Sequence, residues 1–284
     1  MHPGTGKPRD EDIDVCGLTH VGRVRTVNED NFLLCSLHRA MRIHATSLPE
    51  LERLPLRHDR MGFLAVVADG LGGLSRGDVA SRRTIELVAK YATQSMDCFY
   101  TSAPEEEQPF LQHLYDAVLK CHRTLMQESQ SGPLEERMAT TLTLLLTVWP
   151  RLYVVQVGDS RCYVLHRGKL QRITRDQTLA QDLVDHGALT PEEAESSPYA
   201  HILSSAIGAD AAQPVTSAVP FARDDVVLLC TDGLTRHVSD EEIERELRQL
   251  SSTKSSCEAL LNLALDRGGE DNITIVMGCL RRSG

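Results

Sequence analysis

Acidic residues stand at the ends of several strand-forming runs of this chain, and this placement is the strongest constraint on how it can fold. Apolar runs lead to Asp69 in VVADG, Asp159 in VQVGDS and Asp232 in VLLCTDG, and Asp271 in EDN precedes the run ITIVMG. Two carboxylates about 4 Å apart repel by roughly 4 kcal/mol at an effective dielectric near 20, so converging acids need cations to hold them. The pattern therefore predicts a metal site at the strand ends.

A fifth acidic pair, Glu29-Asp30 in RTVNED, precedes another short apolar run. None of these acids has a nearby histidine or a CxxC pair, so the predicted ligands are hard oxygens. Oxygen ligands suit Mg²⁺ or Mn²⁺ better than Zn²⁺. Two-metal hydrolysis of a phosphate ester is the chemistry that such a site most often serves.

Composition excludes several classes of protein. The chain has 284 residues, 41% of them hydrophobic, and a net charge of -10, so we expect a globular protein without a nucleic-acid partner. Its N-terminus has no apolar signal-peptide core, and no run approaches the roughly 18 apolar residues of a membrane span. We therefore expect no membrane association and a cytoplasmic location. The eight cysteines lack CxxC spacing and are interpreted as reduced core residues.

The order of predicted elements favours an α+β fold of layered sheets and helices rather than alternating βαβ units. A polar leader, predicted to be disordered, occupies 1–12, and one domain is expected over 13–281 with no linker or internal repeat. Residues 38–60 look like an inserted loop or hairpin, and 174–212 form a largely polar excursion, here called the flap, with two short helices. Strands are predicted near 13–20, 31–36, 139–149, 151–158, 161–167, 169–173, 214–220, 225–231 and 273–280, and helices over 77–98, 105–129, 239–250 and 254–267.

Five blocks occur in a characteristic order along this sequence. They are Arg25-x-x-Asn28-Glu29-Asp30, Asp69-Gly70-Leu71-Gly72-Gly73, Gly158-Asp159-Ser160-Arg161, Thr231-Asp232-Gly233-Leu234 and Glu270-Asp271-Asn272. Together they resemble the signature of the metal-dependent PP2C-type (PPM) serine/threonine phosphatases, in particular the bacterial single-domain branch. The resemblance spans about residues 13 to 280. It implies an α-β-β-α sandwich of two central antiparallel sheets flanked by helix pairs.

The resemblance also implies roles for individual metal ligands. Asp69 would bridge two Mn²⁺ or Mg²⁺ ions, and Gly70 would offer its backbone carbonyl. Asp232 and Asp271 would complete the protein ligands of the first ion, and Glu29 would hold the second.

Three further residues receive roles from the resemblance. Asp30 would orient coordinated water from the outer shell, and Arg25 would donate to the phosphate oxygens. Asp159, with Asp232, resembles the pair that binds a third, weaker ion beside the flap. The implied reaction is attack of a metal-bridging water or hydroxide on a phosphoserine or phosphothreonine ester, without a phosphoenzyme.

The chain departs from the family pattern at three positions. Leu71 stands where many animal members have a histidine, Gln177 stands where the flap usually begins with a histidine, and Ser205 replaces a basic residue. None of the three is a predicted metal ligand. The implied partners are proteins phosphorylated on serine or threonine, including a cognate Ser/Thr kinase, and we expect a monomer.

Two alternatives remain open at this stage. Cys230 and Arg236 obey the C-x₂-G-x₂-R spacing of cysteine-dependent phosphatases, in which a thiolate attacks phosphorus. The other alternative is a catalytically silent phosphatase-like module that serves binding or signalling. Loss of a ligand acid would indicate that state, whereas all of the predicted acids are present.

Overall fold

The computed structural model describes residues 7–38, 60–71, 76–94, 107–130 and 137–281. Most of the predicted insertion at 38–60, residues 1–6 of the predicted leader and the Gly72-Gly73 pair lie outside the described residues. The final residues of the first predicted helix, 95–98, also lie outside them.

The described residues form two five-stranded sheets in which all neighbouring strands are antiparallel. In chain order the strands are β1 (Ile13–His20), β2 (Asp30–His38), β3 (Arg60–Asp69), β4 (Leu142–Val148), β5 (Arg151–Val157), β6 (Arg161–His166), β7 (Lys169–Arg172), β8 (Val215–Pro220), β9 (Val226–Cys230) and β10 (Ile273–Leu280). The spatial order is β1-β10-β9-β6-β7 in the first sheet and β2-β3-β4-β5-β8 in the second. Every predicted strand is present.

Helices cover the outer faces of the sheets, except for two short ones that belong to the flap. They are α1 (Gly77–Gln94), α2 (Glu107–Gln130), α3 (Leu179–Asp185), α4 (Pro191–Glu195), α5 (Asp232–Thr235), α6 (Asp240–Arg248) and α7 (Thr253–Asp266). The predicted capping box of the second flap helix is present, because Thr190 accepts from the backbone N–H of Glu193 and the Glu193 carboxylate accepts from the N–H of Thr190. The four-residue α5 was not predicted, since so short a segment shows no hydrophobic period.

Strand β3 illustrates how the layers are held together. Its apolar residues do not alternate with polar ones, because both faces of the strand are buried. Val66 packs in the cluster formed with α1 and α2, whereas its neighbour Val67 packs in the cluster between the sheets. A third cluster lies between the first sheet and α5 to α7 and includes Leu228 and Ile243. The predicted α-β-β-α sandwich is therefore confirmed.

The first and last strands are neighbours in one sheet. β1 pairs with β10 over eight residues from Ile13↔Leu280 to His20↔Ile273. Just before β1, residues 10–12 of the predicted leader form a 3₁₀ turn, and the buried Asp12 carboxylate is 3.2 Å from Arg223. Among the described helices, none has the length and apolar content needed to cross a bilayer.

Candidate active site

The sheet register places the predicted acids at one end of the sandwich. Asp69 ends β3 and is paired directly with Asp30, which begins β2. Asp159 follows β5 by two residues, Asp232 begins α5 directly after β9, and Asp271 precedes β10 by two residues. Five acids that are far apart in the sequence are thus carried to strand ends, as the sequence predicts.

The electrostatics of Asp69 show that these acids act on one another. Burial raises its pKa well above the ordinary value, and the charges of Asp30, Asp232, Asp159 and Asp271 raise it further, in that order. Asp159 is also buried, and its pKa is raised first by burial and then by Asp232. Such a group of carboxylates is unstable without compensating positive charge.

Asp30 is held by two threonines, one directly after β9 and one in β10. Its Oδ2 atom accepts hydrogen bonds from the Thr231 and Thr274 hydroxyls, both at 2.8 Å. Burial raises its pKa to about 7, although these two hydrogen bonds lower it. The other oxygen, Oδ1, is buried and has no hydrogen-bond partner among the described residues.

Glu29 directly precedes β2 and packs against the start of α1, next to Gly70 and Gly77. Burial raises the pKa of Glu29, whereas the charge of Arg25 and a backbone hydrogen bond from Gly77 lower it. A Cβ at Gly77 would come within 2.5 Å of Glu29 Oε1, and a Cβ at Gly70 would lie 2.2 Å from the Gly77 carbonyl oxygen. Both glycines are therefore required for the close approach of β3, α1 and the Glu29 loop. Sequence reasoning interpreted Gly77 only as part of a helix start.

Two arginines bind the acids in this structure. Arg25 donates to Asp271 Oδ2 at 2.9 Å, and Arg236 donates to the same oxygen at 3.2 Å. Arg236 also contacts Asp232 Oδ2. Within the described residues, no three acidic, histidine or cysteine side chains already form a ready-made metal cluster. The predicted ligands are neighbours, and two of them are neutralised by guanidinium groups.

The donor set nevertheless fits hard divalent cations. The predicted ligands are all oxygens, and Mg²⁺ and Mn²⁺ prefer such ligands. Asp232 Oδ1, like Asp30 Oδ1, is a buried oxygen without a hydrogen-bond partner among the described residues. Buried carboxylate oxygens are costly unless they gain a partner, and a cation or its water supplies one.

Asn272 fixes the loop that carries Arg25 and Glu29, a role that sequence reasoning missed. Its side-chain amide donates to the backbone carbonyls of Val21 (2.9 Å) and Val27 (3.0 Å), and its Oδ1 accepts from the Glu29 backbone N–H (2.8 Å). Asn272 directly follows the predicted ligand Asp271 in the EDN block. That position was the only signal in the sequence for its role.

Two successive threonines support Asp69 and were also missed. Thr140 donates to the Asp69 carbonyl at 2.7 Å, and the Thr141 hydroxyl accepts from the Asp69 backbone N–H at 3.0 Å. The Thr141 hydroxyl is also 2.8 Å from the Ser160 hydroxyl, which follows Asp159. These bonds tie the ends of β3 and β5 together, and a buried hydroxyl pair in an apolar strand was the available signal.

The structure excludes the cysteine-phosphatase alternative. Cys230 is fully buried in β9, and burial raises the pKa of its thiol to about 12. A catalytic cysteine needs an exposed thiolate with a lowered pKa. Arg236, the other half of the spacing motif, contacts Asp232 and Asp271 and does not line a phosphate loop. That alternative is wrong because Cys230 is a core residue.

This sandwich, with the predicted oxygen ligands gathered at one end, agrees with the class of metal-dependent phosphatases, and comparisons with known proteins identify the family. The sequence model of the protein phosphatase 2C family matches residues 54–268. The chain is 33% identical over 215 residues to serine/threonine phosphatase stp of Listeria monocytogenes, covering 75% of this chain and 83% of that protein. It is 37% identical over 214 residues to serine/threonine protein phosphatase PstP of Mycobacterium tuberculosis, covering 75% of this chain but only 40% of that longer protein.

A solved structure extends the comparison to the fold. The structure of the catalytic domain of PstP in complex with 2 manganese ions superposes with a TM-score of 0.71 and 31% sequence identity. The superposition covers 95% of this chain and 99% of that one. The chain belongs to the protein phosphatase 2C family. The predicted family and fold are therefore confirmed.

Proposed function

We propose that this chain hydrolyses phosphoserine and phosphothreonine in proteins with two Mn²⁺ or Mg²⁺ ions held at the end of the sandwich. The observation that carries the proposal is the gathering of Asp69 with Asp30, Asp159, Asp232 and Asp271, each of which acts on its pKa. Their oxygens include two buried atoms without a protein partner among the described residues. The two manganese ions of the PstP catalytic domain support the same number of core ions here.

The ligand roles are those that the resemblance to the family implies. Asp69 would bridge the two ions, with the Gly70 carbonyl beside it, and Glu29 would hold the second ion at the start of α1. Asp232 and Asp271 would hold the first. When bound, the ions activate water for in-line attack and polarise the phosphate ester. No protein nucleophile is needed.

Two residues would act without binding the ions directly. Arg25 has a side chain that is 43% exposed, so its guanidinium can donate to the oxygens of an incoming phosphate. Asp30 is fixed by Thr231 and Thr274 through one oxygen, which leaves the other to accept a hydrogen bond from coordinated water.

Asp159, buried next to Asp232, would share a third and weaker ion with it.

Several wider features belong to the same proposal. The substrates would be phosphorylated proteins that include a cognate Ser/Thr kinase, and the net charge of -10 disfavours nucleic acid. We also propose that the chain works as a cytoplasmic monomer. The pairing of β1 with β10 supports a single domain over 13–281, because both ends of the range lie in one sheet.

The test compares wild type with Asp69→Asn on a phosphothreonine peptide, with Mn²⁺, with Mg²⁺ and with EDTA. We expect turnover by wild type in either metal, none in EDTA, and a loss of at least about 10³-fold in Asp69→Asn, since the bridging charge is gone. Circular dichroism would verify that the variant is folded.

The alternative of a silent binding module makes a different prediction for the same experiment. Wild type would then bind a phosphopeptide without releasing phosphate at any metal concentration. Undiminished release of phosphate in excess EDTA would instead refute the two-metal proposal.

A further inference from the structure

Arg236 is a charged residue that contacts two predicted ligands but has no role in the proposed reaction. It follows α5 directly, four residues after Asp232, and its side chain is only 29% exposed. One nitrogen contacts Asp232 Oδ2, and the other is 3.2 Å from Asp271 Oδ2. The guanidinium therefore joins two carboxylates that come from separate segments of the chain.

The two carboxylates held by Arg236 are those assigned to one ion. Asp232 and Asp271 would be the protein ligands of the first cation besides Asp69, and the proposal below rests on that function. A guanidinium carries a permanent charge and forms forked bonds to carboxylates. It already compensates the charge of the two carboxylates that a divalent cation would bind, and its own positive charge repels that cation.

We propose that Arg236 is a built-in counter-ion that competes with the first divalent cation and so sets the metal concentration at which the site fills. Without metal, its fork relieves the repulsion between Asp232 and Asp271. Metal binding must then displace or weaken two charge-assisted contacts, which lowers the affinity. Arg236 therefore acts on metal binding through the two carboxylates that it contacts.

The test measures Mn²⁺ binding directly, from the electron paramagnetic resonance signal of free Mn²⁺, for wild type, Arg236→Gln and Arg248→Gln. Arg248 is the matched control, because it loses the same charge at an exposed position on α6, paired with Glu244. A single charge separated from a divalent ion by one carboxylate changes its Kd by about tenfold even at the dielectric of water. We expect Arg236→Gln to bind Mn²⁺ about tenfold more tightly and the control to match wild type.

A second measurement separates competition from a merely structural role. In EDTA, Arg236→Gln should melt at a lower temperature than wild type, because the acids lose their counter-ion. Saturating Mn²⁺ should then raise its melting temperature by more than that of wild type, since tighter binding stabilises the folded state more. A structural role alone would lower both melting temperatures equally.

Two outcomes of the Arg236→Gln titration would overturn the inference. Unchanged Mn²⁺ affinity in Arg236→Gln would show that Arg236 does not compete, and weaker affinity would show that it prepares the ligands for metal. If Arg236→Gln does not fold, Arg236→Met removes the same charge from a side chain of similar length, and an affinity no tighter than wild type would refute competition. Failure of wild type itself to bind Mn²⁺ would refute the proposed function, a result distinct from the other two.

Discussion

Replacing Asn272 with alanine tests whether one buried amide holds in place the loop that carries Arg25 and Glu29. The side chain is 4% exposed and makes three hydrogen bonds to backbone groups of the segment from Val21 to Glu29. A typical intramolecular hydrogen bond contributes about 1 kcal/mol net, so we expect the free energy of unfolding to fall by about 3 kcal/mol. Alanine cannot replace any of the three bonds.

The assay is urea unfolding followed by circular dichroism in EDTA, so that bound metal does not mask the loss. The midpoint should fall while the slope stays unchanged, because the surface exposed on unfolding is the same. Gln112→Ala is the control, since Gln112 makes an exposed bond to Asp116 on α2 and should cost under about 0.5 kcal/mol.

The same variant should also bind metal more weakly. Asn272 accepts from the backbone N–H of Glu29, the proposed ligand of the second ion, so a released loop no longer holds that carboxylate in place. Direct Mn²⁺ titration of Asn272→Ala measures this effect. A loss of stability below about 1 kcal/mol together with wild-type Mn²⁺ affinity would refute the anchoring argument.

Further predictions concern the flap, the third ion and the buried thiol. Gln177→Ala should speed hydrogen exchange in the flap, because Gln177 binds the Gly158 N–H (2.7 Å) and the Gln213 carbonyl (2.8 Å); unchanged exchange would count against this anchor. A crystal structure of Asp159→Ala in Mn²⁺ should keep both core ions and lose a third near the flap, and loss of a core ion would mean that the ligand assignment is wrong. Cys230→Ala should keep most of the phosphatase activity of wild type, since that thiol is buried; an inactive but folded variant would revive the cysteine mechanism.

The parts of the fold that the sequence predicts are those governed by local periodicity. Strand β1 and helix α6 follow from apolar spacing and from a capping box at Ser239. The short α5 could not be found in this way, because four residues do not complete a period. Its place is set instead by Gly233, where a Cβ would lie 2.0 Å from the Asn272 carbonyl oxygen.

The acids were predictable because each stands at a strand end, but the residues that hold them were not. Thr231 and Thr274 bind Asp30 across separations of 201 and 244 residues, so the contact exists only once β2 and the β9–β10 pair lie in facing sheets. A threonine in a strand is common, and nothing local distinguishes one that supports a carboxylate. Supporting residues are therefore predicted poorly where the sheet pairing is unknown.

The contacts of Gln177 and Ser205 could not be predicted from the sequence either. Taken singly, each departs from the family pattern and leaves the flap without an expected basic or imidazole group. In the structure both side chains bind the backbone of Gln213. Gln177 Nε2 donates to the Gln213 carbonyl, and the Gln213 N–H donates to Ser205 Oγ at 2.9 Å. Because Gln177 also accepts from the N–H of Gly158, next to Asp159, the two substitutions together tie the flap to the acid cluster through neutral hydrogen bonds. Neither side chain is informative by itself, and their common partner, Gln213, is identified only once the chain is folded.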